Sequence, residues 1–247
     1  MSLVKISINY LEDVNWLSAS SRDFNISGHT DVWRVNISNN LVRLDSLSSL
    51  INAEEKARAK RYLQLRDKNR FIIGRAALRI ILGGYLNKSP AEIEFEIGSN
   101  KKPFLKNSAL RYNVSHSGDW IFIGVSGSEI GVDIEWIDPA FDYHDIMGEY
   151  FSPEEAKYIT EDHSRFFMLW TRKEALTKAT AKGLDDDLKL IPALQGEQSV
   201  EGSILKSTAD WQVNSFELSP GYLASVATAE QNAIQRFWDI DLSKNNL

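Results

Sequence analysis

The stretch "NAEEKARAKRY" (residues 52–62) has an echo one hundred residues further on, in "SPEEAKYI" (residues 152–159). Each opens with a residue suited to a helix N-cap and carries a glutamate three places later, Glu55 and Glu155. In this capping-box pattern the cap side chain and the later carboxylate satisfy each other's free backbone N–H groups. Such a helix start is common by itself, but here the echo continues. The first copy runs on to "RFIIGRAALRIIL" (70–82) and the second to "RFFMLWTRKEALTKA" (165–179), with Ala77-Leu78 matched by Ala175-Leu176. Both have the apolar spacing of helices. Later, "SGDWIFIGVSG" (117–127) resembles "SPGYLASVATA" (219–229), each a Gly-led turn entering a strand-like apolar run.

The three offsets are 100, 98 and 103, and the matches keep one order. They predict two similar half-domains, placed at residues 1–128 and 129–247, each a helix pair followed by strands. Strand candidates are residues 31–37, 92–97, 111–115, 120–125, 130–136, 202–205, 211–218 and 222–227. Helices kept apart from runs of strands give an α+β class with largely antiparallel sheets. The seam between two halves is a common place for a ligand site.

Composition sets outer limits. The chain of 247 residues is 43% hydrophobic, enough for one large core or two small ones. It has no cysteine, which excludes disulfides, a cysteine nucleophile and a thiolate zinc site, and fits a reducing compartment. The first residues lack a basic region followed by an apolar run, so no signal peptide is expected. The most apolar stretch, residues 71–86, is broken by Arg75 and Arg79 and is short for a bilayer. The expectation is a cytoplasmic protein with no membrane segment. A net charge of −6 argues against general nucleic-acid binding.

Just after the first half closes comes "GVDIEWID" (131–138). On a strand, Val132, Ile134 and Trp136 share one face, and Asp133 and Glu135 project together from the other. One reading is a half-exposed strand with its polar face in water. The other is a hard-cation site, since Mg²⁺ takes one or two carboxylates together with substrate phosphates. In "WTRKEALTK" (170–178), Trp170, Lys173, Glu174, Thr177 and Lys178 fall on one helix side. Glu174 and Lys178 suit either a solvent-exposed ion pair or a cleft wall that offers a carboxylate and a lysine. His116, in the Ser-His-Ser-Gly turn of "YNVSHSGDW" (112–120), is either structural or a phosphate contact. Lys56, Arg58, Lys60, Arg61, Arg66, Arg70, Lys101 and Lys102 are either solvated charges or, with His116, an anion cradle.

Taken together, "GVDIE" and "WTRKEALTK" resemble the paired signature of the phosphopantetheinyl transferases, G-[IV]-D-[IV]-E followed by W-x-x-K-E-x-x-x-K. "EEKARAKRY", "KKPFL" and "NVSHSGDW" match that family's order, over roughly residues 50 to 190. Length and two-half organisation are similar to the larger, surfactin-synthetase-activating type, a pseudo-dimer with its active site at the seam.

The resemblance implies transfer of the phosphopantetheine arm of coenzyme A to a serine of an acyl or peptidyl carrier protein. It implies Mg²⁺ held by Asp133, Glu135 and Glu174. It also gives Lys178 the departing phosphate, His116 the pyrophosphate, and Arg58 and Lys102, with Arg70 and Ser115, the nucleotide end of coenzyme A. The implied base is Glu174 or a metal-bound water, with a water activated near Glu174 preferred, and the enzyme is expected to be a monomer. Glu55 departs from the pattern, standing where bacterial relatives can carry a lysine. A Mg²⁺-dependent diphosphate hydrolase and a non-catalytic coenzyme A or carrier-binding protein are the alternatives.

Overall fold

Both capping boxes form. In the computed structural model, which describes residues 2–19, 24–98, 101–183, 187–229 and 233–242, Asn52 accepts from Glu55 N while Glu55 accepts from Asn52 N. Ser152 and Glu155 repeat the exchange. Each box starts a seven-residue helix that precedes a much longer one.

The chain begins with β1 (Leu3–Tyr10) and β2 (Trp16–Ser18). The first half then runs β3 (His29–Asn36), α1 (Ile37–Asn40), α2 (Leu44–Leu50), α3 (Ala53–Ala59) and α4 (Leu65–Leu86). A small hairpin, β4 (Phe95–Ile97) and β5 (Pro103–Leu105), leads to a larger one, β6 (Arg111–Ser117) and β7 (Trp120–Ser126). The second half repeats the plan with β8 (Ile130–Trp136), α5 (His144–Tyr150), α6 (Pro153–Ile159) and α7 (His163–Thr180). It continues through β9 (Gly196–Glu201), α8 (Gly202–Leu205) and the hairpin β10 (Trp211–Ser219) and β11 (Tyr222–Thr228), and β12 (Ile234–Asp239) follows.

The shared plan shows in the sheets. One contains the run β3-β7-β6 and the other β8-β11-β10, in the same relative places. The α+β class and the two-half arrangement are therefore present. The ends differ from the sequence expectation: β1 joins the second sheet between β10 and β9, and β12 joins the first between β3 and β2. The terminal strands thus cross the division at residues 128 and 129.

These additions also make the sheets mixed rather than largely antiparallel. β1 pairs in parallel with β10, and β12 in parallel with β2 and β3. A hairpin forces its two strands to be antiparallel, whereas a strand arriving from the other half carries no such constraint.

A second correction concerns residues 202–205, expected as a strand and found as α8. Gly-Ser-Ile-Leu is too short for its apolar pattern to separate the two periods. The helical turn lets Gly202 N donate to Ser2 O and Ser207 N donate to Gly202 O.

Apolar residues collect in three main layers. Trp33, Ile73, Leu78 and Ile123 fill the space between α4 and the first sheet. Ile6, Leu176, Leu205 and Val213 do the same for α7 and the second sheet. Between the sheets, Val32 and Phe122 meet Val132, Ile134, Phe216 and Val226. Burial of this kind contributes roughly 25 cal/mol per Å² of apolar surface and holds the halves together.

Each capping glutamate also pins its long helix. Glu55 bonds Arg75 and Arg79, and Arg79 reaches the carbonyls of Pro90 and Ile93. Glu155 pairs with Lys173 at 2.8 Å, and Lys173 reaches the carbonyls of Leu188 and Ile191. This explains the departure at Glu55, whose carboxylate is a buried structural anchor. No helix among the described residues is long and apolar enough to cross a membrane.

Candidate active site

Strand β8 divides as its sequence predicts. Val132 and Ile134 enter the layer between the sheets, while Gly131, Asp133 and Glu135 face α7. Gly131 makes that approach close: a Cβ there would lie 2.0 Å from Ala175 O and 2.3 Å from Ala179 N. Only glycine admits the helix backbone at this distance. The contact brings Glu174 and Lys178, one turn apart, over the two acids.

Lys178 Nζ donates to Asp133 Oδ1 at 2.6 Å and to Ser115 Oγ at 3.1 Å, and stands 3.9 Å from Glu174. Ser115 Oγ donates to the same Asp133 oxygen at 2.8 Å. Ser117 Oγ donates to Glu135 at 2.9 Å and accepts from Trp136 N at 3.0 Å. Asn113 Oδ1 accepts from Val132 N at 2.9 Å. Three alternate residues of β6 thus stitch the edge of one sheet to β8 at the edge of the other. The acids lie on the seam.

Burial dominates their electrostatics. Asp133 is 2% exposed, and desolvation pushes its carboxyl above the usual range despite Lys178 and Ser115. Burial, then the charge of Asp133, lifts Glu135 to about 7. Glu174 is lifted to about 7 by the same two causes, against Lys178. Burial pulls the Lys178 ammonium down, but Asp133, Glu174 and Glu135 outweigh it and hold it above the ordinary lysine value.

When all three carboxyls are ionised, one ammonium leaves an excess of two negative charges, the excess a divalent cation balances. Asp133 Oδ2 is also buried with no hydrogen-bond partner. In donor type and charge these residues fit a hard cation. As the side chains stand, no three His, Asp or Glu among the described residues are gathered into a metal shell. Lys178 occupies one Asp133 oxygen and Ser117 one Glu135 oxygen.

The other expected residues separate into two places. Arg58, Arg70 and His116 line one cavity of about 270 Å³, with Tyr62, Phe71 and Tyr112. The Arg58 guanidinium lies 5.1 Å from the Phe71 ring centre, and Arg70 pairs with Asp67 at 2.9 Å. His116 is exposed at its edge, yet the crowding walls, then Arg70, hold its imidazole below the usual value. His116 stands on β6 between Ser115 and Ser117, which bond Asp133 and Glu135, so the cavity adjoins the acidic cluster. Lys102 is elsewhere: its ammonium bonds Glu129, Ile130 O and Ala179 O across the seam. Ser115 lies within the acidic cluster rather than in the cavity. Asn113, Ser117 and Gly131 were not among the expected site residues. The polar alternation of 113, 115 and 117 on one strand is the signal that points to the first two.

Comparison with known proteins gives the family. Residues 129–229 match the family model described as the 4'-phosphopantetheinyl transferase superfamily. Residues 33–128 match one described as 4'-phosphopantetheinyl transferase, N-terminal. The 4'-phosphopantetheinyl transferase HetI of Nostoc sp. is 29% identical over 90% of this chain and 97% of its own length. The 4'-phosphopantetheinyl transferase Sfp of Bacillus subtilis is 27% identical over 73% of this chain and 83% of its own. A putative 4'-phosphopantetheinyl transferase of Synechocystis sp. is 34% identical over 77% of this chain and 78% of its own. The two half-chain matches and these relatives lead to one conclusion: the chain belongs to the 4'-phosphopantetheinyl transferase superfamily.

Proposed function

We propose that this protein moves the phosphopantetheine arm of coenzyme A onto a serine hydroxyl of an acyl or peptidyl carrier protein. The observation that supports it most is the juxtaposition of the Asp133, Glu135, Glu174 and Lys178 cluster with the Arg58, Arg70 and His116 cavity. A phosphoryl-transfer site needs both: a place for a polyanion and groups that neutralise developing charge.

In this reading residues 1–128 hold the nucleotide end of coenzyme A, and residues 129–247 carry the chemistry. Arg58 and Arg70 bind phosphate oxygens, and His116 donates a hydrogen bond to the pyrophosphate. Asp133, Glu135 and Glu174 would hold Mg²⁺, which supplies Lewis-acid neutralisation of the pyrophosphate when bound. The serine oxygen forms a bond to the phosphorus nearest pantetheine, and the bond to the adenosine bisphosphate side breaks. Lys178 stabilises the negative charge on the leaving phosphate. Glu174, through a water, takes the serine proton. Ser115 orients Asp133, and Lys102, engaged at the seam, keeps β8 against α7 rather than serving as a free contact. Both halves come from one chain, so the enzyme acts as a monomer, in the cytoplasm.

Incubation with coenzyme A, Mg²⁺ and a panel of apo carrier proteins, read by intact mass, tests the proposal. Addition of the arm to the carrier is the expected result. Unmodified carriers alongside cleaved coenzyme A indicate hydrolysis instead.

A further inference from the structure

Residues 56–70 contain seven Lys or Arg and one Asp, a net of +6 in a chain whose net charge is −6. The positive charge is therefore concentrated on α3 and the elbow between α3 and α4, and the remainder is strongly acidic. Arg58 and Arg70 belong to the cavity already described. Lys56, Lys60, Arg61 and Arg66 are exposed, and among the described residues none of them pairs with a carboxylate.

Between Arg61 and Arg66 stand Leu63 and Leu65, 101% and 68% exposed. A single exposed leucine is ordinary on a protein surface. Two of them on a well-built turn ringed by free cations form a surface with a partner's chemistry written on it. The turn is held from within: Arg61 N donates to Arg58 O, Tyr62 N to Ala59 O and Lys68 N to Gln64 O. The Tyr62 ring packs 5.4 Å from that of Phe71. The elbow is also continuous with the site, because Tyr62, Asp67 and Arg70 line the same cavity as His116. Val42 is 81% exposed as well, but it has only Arg43 beside it in sequence.

We propose that the elbow of residues 60–66 is the docking surface for the carrier protein, with an acidic carrier face on Lys56, Lys60, Arg61 and Arg66 and an apolar carrier side chain on Leu63 and Leu65. The inference rests on the transfer reading given above. Charge complementarity steers the encounter, and a small apolar centre inside a charged rim supplies the anchor. An acidic partner is repelled by the rest of this acidic chain, so the elbow collects it at the mouth of the cavity.

The test compares wild type with Leu63→Ser/Leu65→Ser and Arg61→Glu/Arg66→Glu in steady-state transfer to an apo carrier of net negative charge. Carrier and coenzyme A are varied separately. The KM for the carrier is expected to rise on the order of tenfold in each double variant. The kcat and the KM for coenzyme A are expected to stay at wild-type values, which also shows that the variants are folded. Added salt raises the wild-type carrier KM and has a much weaker effect in the charge variant. A carrier with acidic residues changed to lysine restores the low KM of Arg61→Glu/Arg66→Glu. Unchanged carrier KM in both variants of an enzyme that transfers overturns the docking surface alone. A wild type that modifies no carrier of the panel overturns the transfer reading and the docking surface with it.

Discussion

The two halves of this molecule put opposite materials in equivalent places. Across β3 and β7 Asp31 pairs with Val125, and across β8 and β11 Gly131 pairs with Ala227. With Trp120 and Tyr222 opening β7 and β11, this register sets Trp33 and Val35 against Asp133 and Glu135. The helix match at Ala77-Leu78 and Ala175-Leu176 likewise sets Ala76 and Ile80 against Glu174 and Lys178. In the first half Trp33, Val35 and Ala76 are core residues between α4 and its sheet, and Ile80 packs against them partly buried. In the second half the same space holds three carboxylates and an ammonium. One copy of the plan is closed with apolar packing, and the other is kept polar at the seam.

The buried ion pairs show the reverse pattern. Glu55 with Arg75 and Glu155 with Lys173 occur at matching positions in both halves. What both copies retain serves the fold, and what only one copy has is where the proposed chemistry lies. Lys173, although part of the W-x-x-K-E pattern, therefore belongs with the anchors.

The largest effect expected is from Glu174→Gln, which should reduce arm transfer by roughly 10²-fold or more by removing a carboxylate of the reacting centre. Intact-mass assays across a Mg²⁺ series measure it, and undiminished transfer sinks the assigned role. Lys173→Met removes a fully buried partner and should cost about 3–5 kcal/mol of unfolding free energy in denaturant. Arg75→Met should cost clearly less, since Glu55 keeps Arg79 and Arg75 is partly exposed. Equal losses would break the contrast between the two anchors. Gly131→Ala forces a Cβ against the α7 backbone and should cost about 1–3 kcal/mol. Transfer falls too, as α7 carries Glu174 and Lys178 away from β8. A stable, fully active variant removes the close approach from the account.

The smallest effect concerns acid. Burial raises the Glu55 carboxyl, but Arg79 and Arg75 outweigh it and leave it below the ordinary value. A group lowered in the folded state gives stability that is complete above its unfolded value, about 4.3 for glutamate, and fades as pH falls toward the folded one. Denaturant midpoints from pH 7 to 3 should therefore decline less steeply at the acid end in Glu55→Gln than in wild type. Parallel profiles would remove Glu55 from the acid response.

Much of the site is visible in the sequence because its parts are local patterns. Period two puts Asp133 and Glu135 on one face, and an i,i+4 step aligns Glu174 with Lys178. The capping boxes at Asn52 and Ser152 mark their helices by short-range hydrogen bonds alone. Lys102 shows where such reading stops. Nothing near "KKPFL" reveals that its ammonium meets Glu129 and the carbonyls of Ile130 and Ala179, 27 to 77 residues away.

The exchange of β1 and β12 has the same origin: each pairs with strands about 200 residues distant in sequence. The sequence by itself determined the helix pair of each half, its capping boxes, the β6–β7 and β10–β11 hairpins and which side chains of β8 share a face, since these follow from neighbours a few residues apart. Only the tertiary structure decided which half is filled and which stays polar, where Lys102 is engaged, and how the terminal strands bind the halves. Those outcomes depend on burial and charge among groups that meet only once the whole chain has closed.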